Sequence, residues 1–120
     1  MTMTSLVTFL GGGKGTWVPV IQLIDSGNWE HVFLIMPQFF ADKYQPKSLS
    51  VEKIVIDETK SVVVLRDELV KVFDGKIFGD VGFCCISGSG TEHMAAMAAV
   101  LKVGGGIRLV EFVGNEVKEL

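Results

Sequence analysis

The sequence contains few cysteines, and the two that it has are adjacent, Cys84 and Cys85. Because neighbouring side chains of a strand point to opposite faces, we expect no disulfide between them. We interpret both as small buried core residues rather than as a redox or metal-binding pair. The sequence therefore indicates neither a disulfide framework nor a metal site.

Positive charge is also scarce. The 120 residues include 11 Lys and Arg against 14 Asp and Glu, a net charge of −3. Sequence-independent binding to duplex DNA needs a basic face, so we expect no duplex DNA partner, whereas a small anion held by backbone amides remains compatible. No segment resembles a signal peptide and no apolar run is long enough to cross a membrane, so we expect a cytoplasmic protein without membrane contact.

Apolar residues, by contrast, make up 48% of the chain. Near-continuous apolar runs, typical of strands buried on both faces, occupy Ser5–Leu10, His31–Met36, Glu52–Ile56, Val81–Ile86 and Ile107–Phe112. Helical spacing predicts helices between them, over Thr16–Ser26, Phe39–Tyr44, Thr59–Phe73 and Thr91–Val103. The alternation predicts one α/β domain over residues 1–120, a Rossmann-like three-layer sandwich. Its mostly parallel sheet of about five to six strands would have helices on both faces.

Two glycine-rich loops follow predicted strands, Gly11–Thr16 and Ser87–His93. Loops at the carboxyl ends of parallel strands lie on one edge of the sheet, where ligands bind. Glycine allows positive φ and close backbone approach, and the helix N-terminus that follows presents free N–H groups to an anion. The loops therefore indicate a site for a phosphate-containing ligand, although tight turns alone would also explain glycines.

The first loop matches neither of the common nucleotide-binding motifs. A Walker A loop needs Ser or Thr after its lysine, but Lys14 is followed by Gly15. The dinucleotide fingerprint needs a third glycine where Thr16 stands, and the second strand ends without a carboxylate for a ribose. Lys14 is a candidate to neutralise a phosphate, or a solvated loop lysine. Trp17 is a candidate to stack on a base, or a core or interface residue.

The second loop opens a helix rich in alanine and methionine. Ser87, Ser89 and Thr91 offer hydroxyls as helix caps or ligand donors. A carboxylate at Glu92 complements the helix dipole but would repel a phosphate. His93 can donate to an oxyanion or act as an acid or base, the alternative being an exposed histidine paired with Glu92.

The second loop and its surroundings resemble the CARF domain, the CRISPR-associated Rossmann fold. The matching stretch runs from Ile86-Ser87-Gly88-Ser89-Gly90-Thr91-Glu92-His93-Met94 to Gly106-Ile107-Arg108-Leu109-Val110, and Leu6 to Val20 also suits the family. The likeness extends over the whole chain in topology and over about a third of it in motif. Glu92 stands where the family motif usually has lysine, which leaves Lys14 and His93 as the cationic candidates.

CARF domains are homodimers that bind cyclic oligoadenylates, the second messengers of type III CRISPR immunity, and some cleave the ring without a metal. The resemblance implies a stand-alone homodimer of this kind, with no cofactor and no metal, and with Lys14 and His93 as catalytic candidates for attack by the ribose 2′-OH. The candidate ligand-binding residues are Gly11, Gly12, Gly13, Lys14, Gly15, Thr16, Trp17, Pro37, Gln38, Phe39, Ser87, Gly88, Ser89, Gly90, Thr91, Glu92 and His93. Two alternatives stay open, a non-catalytic sensor or sequestering module and a generic nucleotide-binding subunit outside CRISPR.

Overall fold

The computed structural model describes residues 4–13 and 15–120. Its strands are β1 (Ser5–Phe9), β2 (His31–Pro37), β3 (Val51–Ile56), β4 (Asp80–Cys84), β5 (Gly106–Val113) and β6 (Glu116–Glu119). Its helices are α1 (Trp17–Ser26), α2 (Gln38–Ala41), α3 (Val62–Phe73) and α4 (Gly90–Lys102). The predicted α/β class is confirmed.

Within the described residues the strands form one sheet in the order β3-β2-β1-β4-β5-β6. The neighbours from β3 to β5 pair in parallel, and β6 runs antiparallel to β5. The chain builds outward from β1 to β3 and then returns to the other side of β1 to add β4. The topological switch point therefore lies between β1 and β4, and the two glycine-rich loops leave the carboxyl ends of these two strands.

Helices cover both faces of the sheet, as predicted. On one face, α3 and α4 enclose a core that contains four fully buried phenylalanines, Phe9, Phe33, Phe73 and Phe83. On the other face, α1 and α2 pack over a second core. The buried alanines of α4, Ala95, Ala96 and Ala99, have no exposed surface and belong to the first core. The small face of α4 thus lets the helix lie close to its own domain.

Most predicted boundaries agree with the structure to within two residues, and two helices differ by more. The helix predicted from Thr59 begins at Val62, because Ser61 is its N-cap and the Ser61 hydroxyl accepts a hydrogen bond from Val64 N at 3.3 Å. The residues before it form a turn in which Asp57 Oδ1 accepts hydrogen bonds from Thr59. The helix predicted over Phe39–Tyr44 is the shorter α2, and both corrections are therefore local.

The predicted strands end with Ile107–Phe112, but the polar segment after β5 forms a further strand, β6. Gly114 and Asn115 have φ values of +61° and +63° between the paired residues Val113 and Glu116. Two consecutive positive φ angles are typical of a type I′ hairpin turn, for which a Gly-Asn pair is a recognised signal. The strand itself is mostly charged and exposed, so it lacks the apolar pattern on which strand prediction depends.

Cys84 and Cys85 are both free thiols, as predicted. Cys84 belongs to the α1/α2 core, whereas the half-buried Cys85 packs against the α3/α4 core, so the two side chains lie on opposite faces. Burial raises the pKa of both thiols, that of Cys85 to about 11. Among the residues described, none of the helices has the length and apolar character needed to span a bilayer.

Candidate functional site

The two glycine-rich loops touch each other in the crevice above β1 and β4. A Cβ atom added to Gly11 would lie only 2.7 Å from Gly88 Cα. Gly88 has a φ of +93°, and a Cβ atom there would lie 2.9 Å from Phe9 Cβ. Neither position accepts a side chain without movement of the backbone. The contact between the loops therefore accounts for Gly11, and the positive φ and the nearness of Phe9 account for Gly88, in both cases without any ligand.

Ser87 ties the two loops together from a buried position, with 1% of its surface exposed. Its Oγ accepts a hydrogen bond from Gly11 N at 2.9 Å and lies 2.8 Å from Thr16 Oγ1. Thr16 Oγ1 also donates to Gly13 O at 2.6 Å. A hydroxyl has one hydrogen, so Thr16 uses its own on Gly13 and the Ser87 hydroxyl supplies the hydrogen between them. A chain of hydrogen bonds thus runs from Gly11 through Ser87 and Thr16 to Gly13.

The N-terminus of α4 is closed by a capping box. Glu92 Oε1 accepts a hydrogen bond from Ser89 N at 2.8 Å, and Ser89 Oγ accepts one from Glu92 N at 3.5 Å. Glu92 is only 3% exposed, and its Oε2 has no hydrogen-bond partner among the described residues. The carboxylate of Glu92 is therefore used inside the fold, as part of a helix cap.

His93 makes its polar contact with the loop backbone rather than with Glu92. Its Nε2 lies 2.7 Å from Ser87 O, and its ring meets the Phe9 ring edge to face at 4.7 Å. A carbonyl oxygen only accepts hydrogen bonds, so Nε2 carries the hydrogen of this pair. For chemistry on a ligand, Nδ1 is the ring nitrogen that remains.

Two other loop glycines have no such internal explanation. Gly12 and Gly90 are exposed and lack positive φ angles. A Cβ atom at Gly90 would meet nothing within 4 Å, and one at Gly12 would meet only Phe40 Cζ at an ordinary 3.7 Å. By contrast, Gly15 has a φ of +80°, and a Cβ atom at Gly13 would lie 3.0 Å from a Thr16 methyl group. A ligand that approaches the backbone closely would explain Gly12 and Gly90.

A row of aromatic rings extends from the first loop along α2. The half-buried Trp17 donates from Nε1 to Gly11 O at 2.8 Å, and its ring lies 5.8 Å from that of Phe40 in an edge-to-face contact. Phe40 in turn meets Phe39 at 5.1 Å. Phe39 is 65% exposed, so the row ends in an aromatic ring that is open to a ligand.

Beyond Phe39 lies a cleft of about 510 Å³ at the carboxyl ends of β2 and β3, within the size range of small-molecule sites. Its lining residues are Pro37, Gln38, Phe39, Val55, Ile56, Asp57, Glu58, Thr59, Lys60 and Glu68. Lys60 Nζ donates to Glu68 Oε2 at 2.7 Å. The hydroxyl and amide of Thr59 donate to Asp57 and lower the pKa of its carboxyl group.

The structure brings the described residues of both loops, Trp17 and the Pro37–Phe39 segment to one edge of the sheet. Phe40 of α2 lies beside the first loop: its ring contacts that of Trp17, and its Cζ lies 3.7 Å from where a Cβ atom of Gly12 would be. Lys14 lies outside the described residues. Sequence reasoning missed the far wall of the cleft, formed by 55–60 and Glu68, although its position directly after the third strand was a usable signal.

Among the described side chains, no group of three or more His, Cys, Asp or Glu residues is arranged to hold a metal ion. Comparison of the chain with protein-family models, with curated proteins and with solved structures found no match. A function has to be inferred from the chemistry of the site, because a Rossmann-like fold hosts many unrelated activities.

Proposed function

We propose that the protein binds a cyclic oligoadenylate as a homodimer of CARF-like domains, with the ring lying across the carboxyl edge of both sheets. The observation that carries this proposal is the pair Gly12 and Gly90, whose missing side chains are not required inside the fold. Both flank the crevice at the switch point, where α/β proteins bind nucleotides. Backbone N–H groups at such glycines can approach phosphate oxygens directly.

The two loops would contribute unequally to phosphate binding. Gly90 is the first residue of α4, so a phosphate beside it would gain from the positive end of the helix dipole. The buried carboxylate of Glu92 in the same turn opposes that gain. We therefore assign most of the phosphate contacts to the first loop, where Gly12 is exposed and Lys14 adds a positive charge.

A nucleotide is favoured over a bare phosphate because of the surface beside the first loop. The row of Trp17, Phe40 and Phe39 offers aromatic surface, which binds nucleobases by stacking. The cleft beyond Phe39 has room for a base and part of its ribose. Phosphate-binding glycines next to a base-sized cleft match a ligand that presents both groups.

Exposed apolar residues on and beside α4 support the homodimer. Met94 and Leu101 are 62% and 59% exposed on this helix, Ile86 is 47% exposed two residues after β4, and Leu109 is 45% exposed on β5. Three of the four alanines of α4, Ala95, Ala96 and Ala99, are buried in the domain itself, so self-association would use the outward Met94 and Leu101 instead. A two-fold pocket presents each contact twice and suits a ring with an even number of adenylates.

If the ring is cleaved, a ribose 2′-oxygen would attack the adjacent phosphorus while the 5′-oxygen leaves and takes up a proton, which gives a cyclic phosphate end. Positioning of these atoms can account for much of such a rate. His93 would contribute through Nδ1, and Lys14 through its charge. A non-catalytic sensor is the second candidate, favoured by the engagement of His93 Nε2 with Ser87 O.

The proposal is tested by titrating cyclic tri-, tetra- and hexa-adenylate into the protein in EDTA, with linear oligoadenylate as the ligand control and chromatography to detect products. We expect micromolar or tighter binding of an even-numbered ring. Gly12→Ala should weaken it at least tenfold, whereas Lys102→Ala, at the far end of α4, should leave it unchanged. Equal binding by all these variants, or no binding of any ring, would refute the proposal.

A further inference from the structure

We propose that the cleft at the carboxyl ends of β2 and β3 is a nucleobase subsite in which Phe39 stacks on the base and the acidic wall accepts hydrogen bonds from the amino group of the base. This inference rests on the proposed function, because it assigns a place to the bases of the same ligand. It predicts selection of adenine over hypoxanthine.

The geometry around Phe39 provides a stacking platform. Lys43 Nζ lies 4.5 Å from the centroid of the Phe39 ring, in a cation–π contact. Lys43 does not line the cleft, whereas Phe39 does, so the ammonium group covers the side of the ring away from the cleft. The other side of the ring remains for a base. Val55, 46% exposed, adds apolar surface to the same cleft.

The charge of the opposite wall determines which part of a nucleotide fits. Three carboxylates, Asp57, Glu58 and Glu68, line the cleft together with one cation, Lys60. Glu68 already pairs with Lys60, and only one oxygen of Asp57 is taken by Thr59. The wall therefore has net negative charge and unused acceptor oxygens, which repel a phosphate and accept hydrogen bonds from an amino group.

Adenine and hypoxanthine differ at the edge that this wall would contact. Adenine carries an exocyclic amino group, which donates, whereas hypoxanthine carries a carbonyl oxygen there, which accepts and would face carboxylate oxygens. A wall of acceptors favours the ligand that carries the donor, and because Asp57 and Glu58 are exposed to water, we expect the preference for adenine to be modest. Because hydrogen bonds from Thr59 hold the pKa of Asp57 below its ordinary value, this acceptor stays ionised in mildly acidic solution.

The cleft is also at a suitable place relative to the first loop. Phe40 contacts Phe39 on one side, and its Cζ lies 3.7 Å from where a Cβ atom of Gly12 would be. A nucleotide with its phosphate at Gly12 would therefore reach the cleft across α2. Phosphate and base would occupy separate surfaces of opposite character, the glycine loop and the acidic wall.

The subsite is tested with two probes, adenosine and cyclic tetra-adenylate, each compared with its inosine counterpart. Adenosine carries no phosphate, so the methyl resonances of Val55 report on the base subsite alone. We expect adenosine to shift these resonances more than inosine does. Phe39→Ala should weaken binding of the ring roughly tenfold, as expected for loss of one base stack. Its matched control is Phe78→Ala, since Phe78 is 80% exposed and lies outside the cleft.

Glu68→Gln, compared with the exposed control Glu116→Gln, should reduce the preference for adenine over inosine while Lys60 stays in place. If the adenine ring binds but Phe39→Ala equals Phe78→Ala and inosine binds equally well, the subsite is refuted and the proposed function stands. If adenosine shifts Val55 but no ring binds, the subsite is supported and the proposed function fails. If neither probe has an effect, both are overturned.

Discussion

Replacement of Gly90 by alanine should stabilise the fold while it weakens ligand binding. Gly90 begins α4 without a positive φ, and the added methyl group would meet no atom within 4 Å. Alanine at a compatible position stabilises by about 0.4–1 kcal/mol, mainly because the unfolded chain loses freedom. For a domain of this size, that is a rise in melting temperature of roughly 2–4 °C. The same methyl group would stand where we place the ligand.

Thermal melts and calorimetric titration with cyclic tetra-adenylate measure the two effects separately. Gly88→Ala is the matched control, because Gly88 lies two residues earlier, has a φ of +93° and would bring its Cβ atom 2.9 Å from Phe9 Cβ. That variant should be destabilised by about 1–3 kcal/mol. A Gly90→Ala protein that is less stable than the parent, or that binds the ring with unchanged affinity, would refute the reasoning.

Four further variants or measurements test other parts of the site. Ser87→Ala leaves Gly11 N without its buried acceptor and should lower the free energy of unfolding, measured in urea, by about 1–3 kcal/mol. An unchanged urea midpoint would contradict the role of Ser87 in joining the two loops. Glu92→Gln keeps an acceptor oxygen for Ser89 N but removes the negative charge, so ring binding should tighten, and weaker binding by calorimetry would argue against a phosphate near α4. His93→Gln can retain a donor for Ser87 O but has no basic nitrogen; loss of turnover with affinity kept would identify His93 as catalytic, and full turnover would exclude it. Burial raises the pKa of Cys85 to about 11, so in a Cys84→Ala background the alkylation rate should still be rising above pH 10, and a plateau at pH 9 would show an accessible thiol. Because the folded state keeps a proton that the unfolded chain loses above its lower pKa, this thiol should also make stability fall as the pH rises from about 9 towards 11.

The hydrophobic pattern was sufficient to predict the sheet, because its five parallel strands are mostly apolar runs bounded by glycine or polar turns. It failed for β6, whose residues are mostly charged and exposed and whose only local signal is the turn at Gly114 and Asn115. It also began α3 too early at Thr59, since the competing turn at Asp57 and the cap at Ser61 depend on side-chain hydrogen bonds rather than on apolar spacing.

The site was predictable in position but not in the roles of its residues. The glycine loops that follow β1 and β4 meet because these two strands are neighbours in the sheet. The order of the strands depends on tertiary packing, so the contact between the loops could not be predicted from the local sequence. Ser87 is similar to Ser89 and Thr91 in the sequence, yet it alone of the three is buried and bonded across the loops. The cleft wall at Asp57 and Glu68 was missed because it combines the end of β3 with a helix that begins six residues later.

The six glycines that the structure describes around the crevice separate into two groups, and this separation links the stability of the domain to its proposed ligand. Gly11, Gly15 and Gly88 are required by close backbone contacts or by positive φ, and a Cβ atom at Gly13 would press on the Thr16 side chain, so substitution of these four is expected to disturb the fold itself. Gly12 and Gly90 are expected to reduce stability relative to alanine, because neither is required by a close contact or a positive φ inside the domain. A loss of stability of this kind is expected where a surface is adapted to bind a ligand. If the proposed ligand binds, these two glycines are the positions at which we expect its phosphates to come closest to the backbone.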